Sequence, residues 1–270
     1  MKRFLVLALV AVVLNRQAAF GTLFVVVPAN GGFVVAADTR YVFVNTNCDG
    51  VTKIFHPKQR RNTVVLAAGT PTVVRFDKPP SHPCEYMKSG PRMLDIPSLV
   101  SMRLDARKND VLSESEVNRI ANDSFLEVKA FDHANRKLHP LNYYINIGFQ
   151  VAIVSYDEKH ATVLMGAFAV HVDSKGTPEL MTNTPIYRGS KADKLEIKLF
   201  GARDFASKYV RTPDQMEAIR GKPIGQVSLT DATSAALQYI IEAEKPAETA
   251  IGGPIDVATI TRDGVQIKRH

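Results

Sequence analysis

Apolar residues along this chain run in short β-branched stretches at first, then at helical spacing, and the alternation between the two repeats. Leu23–Val27 is such a stretch. Pro28-Ala29-Asn30-Gly31 supplies a turn, and Gly32–Ala37 returns, so the pattern predicts a β-hairpin. Tyr41–Val44, Val51–Phe55 and Thr63–Ala68 read as further strands, the last ending at Gly69. Pro71–Pro91 is rich in proline and polar residues and reads as a long loop. Helices follow over Pro97–Lys108 and Ser113–Ala130. In the second, Ser113 and Glu116 form a capping box, and Val117, Ile120, Ser124 and Val128 fall near one face. Strands resume at Ile145–Val154 and Ala161–Val172, joined by the polar turn Tyr156–His160, and Asp173–Gly176 is a second turn. Helical spacing returns at Lys191–Tyr209 and Thr230–Ala243. Ile255–Thr261 and Val265–Lys268 flank Arg262-Asp263-Gly264 as a closing hairpin.

That order is strands, two helices, strands, two helices, hairpin. Consecutive helix pairs between antiparallel strands argue an α+β fold and exclude an alternating parallel one. Two sheets, each covered by a helix pair, would form a four-layer αββα sandwich. Neither internal repeats nor low-complexity segments interrupt residues 22–270, which read as a single domain.

The first 21 residues differ from the rest. Lys2 and Arg3 precede an apolar run from Phe4 to Leu14, and Ala19-Phe20-Gly21 ends on small residues. Positive, apolar, then small is the order of a secretory signal, and the run is too short for a comfortable membrane span. We therefore expect residues 1–21 to be removed as a signal peptide or propeptide. The mature chain is then periplasmic or secreted, with no stable membrane span and Thr22 as its first residue.

Composition adds exclusions. Hydrophobic residues at 45% and charged residues at 23% support an ordinary core. The net charge of +7 falls to +4 without Lys2, Arg3 and Arg16. The short run Lys58–Arg61 reads as a solvated turn, so no nucleic-acid partner is expected. Seven histidines without an HExxH pattern, and two cysteines without CxxC spacing, offer no metal site, and no cofactor is expected. Cys48 and Cys84 fit either a disulfide or two buried thiols, because sequence does not give their separation.

Cleavage before Thr22 would place a free α-amine and a hydroxyl on one residue. An amine of pKa near 8 is partly neutral at neutral pH and can accept the hydroxyl proton. A lysine ammonium nearby would lower the pKa of both groups, a carboxylate would hold that lysine, and a backbone N–H would stabilise the oxyanion. Asp38, sixteen residues on, Lys53 in the next apolar strand and Gly69 at a strand end supply those types.

Here the chain resembles a known family. Gly21-Thr22-Leu23, followed by Gly32-Phe33-Val34-Val35-Ala36-Ala37-Asp38-Thr39-Arg40, looks like the opening of proteasome β subunits, which are N-terminal nucleophile hydrolases. The resemblance implies that Thr22 carries nucleophile and base, that Asp38 orients Lys53, that Lys53 tunes the amine, and that the Gly69 amide donates to the oxyanion. Gly189-Ser190 falls where the family's Gly-Ser is expected, which makes Ser190 the hydroxyl close to the amine. Gly252-Gly253, the strand after it and Thr261–Gly264 match the family's closing elements. Ala67 falls at the family's main specificity pocket and would leave it roomy. The chain departs at Ile251, where the family has a serine; Glu248 stands where it has an aspartate, and both are read as structural. The resemblance covers roughly residues 21–69 and 170–265. It implies a threonine peptidase acting on peptides or other amides, assembled as a homo-oligomer, with a ring as the family's habit. A non-peptide amidase and a catalytically inactive structural subunit are the alternatives.

Overall fold

In the computed structural model the described residues are 21–43, 46–74, 82–90, 92–106, 111–138, 148–172, 177–182, 186–247 and 251–270. The expectations for residues 1–20, the turn over 173–176 and Glu248 lie outside them.

Two antiparallel sheets carry the chain. The first has the order β13 (Lys198–Gly201), β1 (Leu23–Ala29), β2 (Gly32–Asp38), β14 (Ile255–Thr261), β15 (Gly264–Arg269). The second runs β11 (Pro178–Thr182), β10 (Thr162–Val172), β9 (Phe149–Asp157), β6 (Thr63–Gly69), β5 (Ile54–Phe55), with β12 (Tyr187–Ser190) also pairing β10. Ala29 faces Gly32, so Asn30-Gly31 alone makes the first turn and Pro28 stays in the strand. Of the two turn residues only Gly31 takes a positive φ, 84°, the conformation that glycine adopts without strain.

Every residue of β1 and β2 is buried. Period-two alternation therefore sorts side chains between two cores and not between core and water. Leu23, Val25, Val34, Ala36 and Val257 pack against α5 (Asp214–Ile219) and α6 (Leu229–Ala247). Phe24, Val26, Phe33 and Val35 meet Val64, Leu66, Ala152 and Val154 of the second sheet. The opposite face of that sheet, through Val65, Val151, Ile153 and Leu164, packs on α2 (Ile96–Asp105) and α3 (Glu114–Leu138). The helix α3 sits close: a Cβ on Gly166 of β10 would come within 2.6 Å of the Val117 side chain.

The structure corrects several expectations. Pro71–Pro91 is not one loop. β7 (Thr72–Val74) pairs with β8 (Arg92–Asp95), and α1 (Pro83–Ser89) lies between them. A disulfide joins Cys48, in β4 (Thr46–Cys48), to Cys84 in α1; β4 itself pairs with β3 (Tyr41–Phe43). Lys191–Tyr209 is not one helix. Its centre is β13, because the free edge of β1 takes it as a partner, and only Arg203–Tyr209 (α4) is helical. The Asp214–Ile219 helix was not foreseen. In Lys58–Arg61, three residues are exposed as a solvated turn requires, but Arg60 is 3% exposed and ion-paired with Glu116, while the N–H groups of Lys58 and Gln59 donate to Asp105. The same pairing removes half of the capping box. Ser113 Oγ still accepts from the Glu116 N–H at 3.2 Å, but the Glu116 carboxylate turns to Arg60. A buried guanidinium needs a counter-charge more than a helix end needs a second cap.

Candidate active site

Thr22 leads directly into β1, at the edge where β13 joins. Leu23 faces Gly201, and the Ala202 N–H donates to the Thr22 carbonyl at 2.7 Å. Gly201 permits this approach. Its φ is 80°, and a Cβ there would stand 2.1 Å from the Thr22 carbonyl oxygen. Thr22 is thus pinned at its backbone and is 4% exposed, while it still lines a cleft of about 220 Å³.

Asp38 ends β2 beside it. Its Oδ1 accepts from the Leu23 N–H at 2.8 Å, and its Oδ2 accepts from Lys53 Nζ at 3.0 Å and from the Arg40 N–H at 3.2 Å. The Gly252 backbone also favours the charged form of this carboxylate. Gly252 also accepts from the Arg40 N–H at 3.0 Å, which ties the turn before β14 to the same point. Lys53 Nζ donates to the Arg40 carbonyl as well. Burial pushes the Asp38 carboxyl up, against the lowering effect of Lys53 and the backbone donors. Burial also pushes the Lys53 ammonium down, against the raising effect of Asp38. Both side chains are fully enclosed, so each is the other's main substitute for water.

Lys53 stands one residue before β5, not within a strand, but its carbonyl accepts from the Ala67 N–H and keeps it in register with β6. Ala67 and Gly69 are two apart on β6, so the strand's alternation turns the Gly69 N–H to the side of the Ala67 N–H. Gly69 takes φ 83°, a conformation that favours glycine. Thr22, Lys53, Ala67 and Gly69 line the one cleft, and Tyr41, whose pKa burial raises, lines it too.

Ser190 is not brought to this cleft. It pairs with Thr162, while Gly69 pairs with Phe149 and Phe149 with Val170, at the other end of β10. Eight residues of strand separate the two ends, about 26 Å at the usual rise. Ser190 Oγ instead donates to Asp193 at 2.8 Å. The glycine that the fold sets against Thr22 is Gly201, and its neighbour is Ala202, without a hydroxyl. Ile251 is fully buried in the apolar core under the first sheet. Sequence reasoning missed Gly201, although the register of β13 with β1 is the signal that finds it. It also missed Met87 and Lys88, from the segment read as a loop, and Arg92 just after it, all of which line the cleft.

Among the described residues, no group of three or more His, Cys, Asp or Glu side chains could hold a metal ion. No described helix is long and apolar enough to cross a membrane.

No protein-family model matches the chain, and no curated protein does. Among solved structures it is similar to Anbu (ancestral beta-subunit) from Yersinia bercovieri, at 15% identity and a TM-score of 0.49, over 92% of this chain and 86% of that one. It is also similar to Anbu from Hyphomicrobium sp. strain MC1, at 16% identity and a TM-score of 0.47, with the same coverage.

Proposed function

We propose that this chain is an amide-bond hydrolase whose nucleophile is Thr22, exposed by removal of the residues before it. The observation that carries the reading is the buried Lys53–Asp38 pair, fixed by three backbone groups, whose lysine lines one cleft with a threonine at the head of a strand. A lysine enclosed at that cost has a reason to stay charged next to a reacting hydroxyl. The proposed order of layers is helix, sheet, sheet, helix, with the three cores between them.

In this mechanism the free Thr22 amine takes the hydroxyl proton. Oγ attacks the amide carbonyl, the Gly69 N–H stabilises the oxyanion, and the C–N bond breaks as the leaving amine receives the proton. Water then adds to the ester, its proton passing to the same amine, and the acid departs with Thr22 restored. The Lys53 ammonium holds the Thr22 amine in its neutral, basic form. Peptides are the proposed substrates, by the resemblance of residues 21–69 to proteasome β subunits. Export, supported by the disulfide, and homo-oligomerisation belong to the same proposal. A non-catalytic structural subunit is the second reading. Ala202 beside Thr22 and Ile251 in the core favour it, because neither offers a hydroxyl.

A chain beginning at Thr22 should hydrolyse a peptide reporter, keep measurable turnover as Thr22→Ser and lose it as Thr22→Ala. Turnover that survives Thr22→Ala would overturn the assignment, and no turnover in the parent chain would select the structural reading.

A further inference from the structure

One wall of the cleft comes from a segment that neither sheet requires. α1 is fastened to β4 by the Cys48–Cys84 disulfide, and β8 is fastened to β7 by pairing. Together they bring Met87, Lys88 and Arg92 to the cleft beside Thr22. Among the described residues, the cleft is therefore lined by three cations, Lys53, Lys88 and Arg92, and by no carboxylate. Two of the three are spoken for. Lys53 is paired with Asp38, and Arg92 with Asp95. Asp49 feels the charge of Lys88, but Arg40 already holds both oxygens of that carboxylate, at 2.9 and 3.2 Å. Lys88 Nζ and Arg269 Nη1 each stand 3.3 Å from the point a Cβ on Gly50 would occupy, so the ammonium lies over a glycine of the cleft wall with a second cation near it and no acid between them. Among the described residues, no carboxylate lies at ion-pair distance from Lys88.

The space opposite is small-walled. Ala67 stands two positions before Gly69 and on the same face of β6. A carbonyl attacked at the Gly69 N–H would leave the side chain of its own residue over Ala67, with room to extend toward the cations.

We infer that the cleft selects an acyl residue with a carboxylate side chain, glutamate or aspartate, and that Lys88 is the specificity-determining residue, with Arg92 adding to its field. The direction of this assignment, acyl side rather than leaving side, rests on the hydrolase reading above. A charge-assisted contact formed as substrate displaces water from the cleft is strong enough to discriminate against the neutral isostere.

The test uses the chain beginning at Thr22 and two reporters that differ only in Glu or Gln at the acyl position. The Glu reporter should have a kcat/KM about tenfold higher, the ratio expected for one charge-assisted contact. Added salt should shrink that ratio. Lys88→Met should bring it near unity. Equal rates for the two reporters, or a Glu preference that Lys88→Met leaves intact, would overturn the inference and leave the hydrolase standing. Calorimetry on the Thr22→Ala chain, with acetylated peptides ending in Glu or Gln, measures the wall without turnover. Tighter binding of the Glu peptide, lost in Lys88→Met, together with no cleavage of either reporter by the parent chain, would keep the cationic wall and overturn the hydrolase. Equal binding of the two peptides overturns the wall in either case.

Discussion

A lysine enclosed as completely as Lys53 keeps its charge only where its partners replace water, and here those partners are the Asp38 carboxylate and the Arg40 carbonyl. Removing one member strands the other. Lys53→Met should cost about 3–5 kcal/mol in chemical denaturation, the range for breaking a buried pair. Asp38→Asn with Lys53→Met should cost less than the sum of the two single changes, because the second removal relieves an unpaired group; additive costs would show that the pair is not coupled. The depressed Lys53 pKa also has a direction in the rate. The proposed mechanism needs the ammonium, which exists below the pKa. Burial lowers that pKa, so kcat/KM should fall with rising pH before the ordinary lysine range is reached. A rate that holds level through that range would show that Lys53 does not act through its charge.

The residues that sequence spacing brought together are those on neighbouring strands near the chain start. Thr22, Asp38, Lys53 and Gly69 lie within one run of hairpins, and local turns fix their relation. Ser190 failed for the opposite reason. Its Gly-Ser dipeptide matched a motif, but what meets Thr22 depends on which distant strand completes the edge of β1. That strand is β13, and nothing in the dipeptide reports a pairing across nearly 180 residues of chain. Apolar spacing over Lys191–Tyr209 fitted a helix for the same cause: an edge strand of four residues is too short to show its period. Proline and polar content hid α1, since a seven-residue helix held by a disulfide needs little apolar surface of its own. That disulfide spans 36 residues, and Cys84→Ser should lower stability by about 4 kcal/mol on loop-closure grounds. Unchanged denaturation of the serine variant would show that α1 is held by other contacts.

At the scale of the molecule, both central strands are buried on both faces, and that is why their sequences read as continuous apolar runs. The α+β class was legible from element order alone. The burial of Arg60 was not, because a basic turn and a basic core residue look alike until Glu116 arrives from α3. Between the two sheets and the disulfide-held segment, the fold leaves Thr22 pinned by its backbone at the head of a cleft. Its nitrogen is a peptide nitrogen while Gly21 remains attached. The account therefore turns on one residue of chain length. Intact-mass analysis after brief exposure to a peptide reporter, on a chain beginning at Thr22 and on one beginning at Gly21, tests it most directly. The prediction is an acyl adduct mapped to Thr22 in the first and none in the second. Equal labelling of both, or an adduct on any other residue, would contradict it.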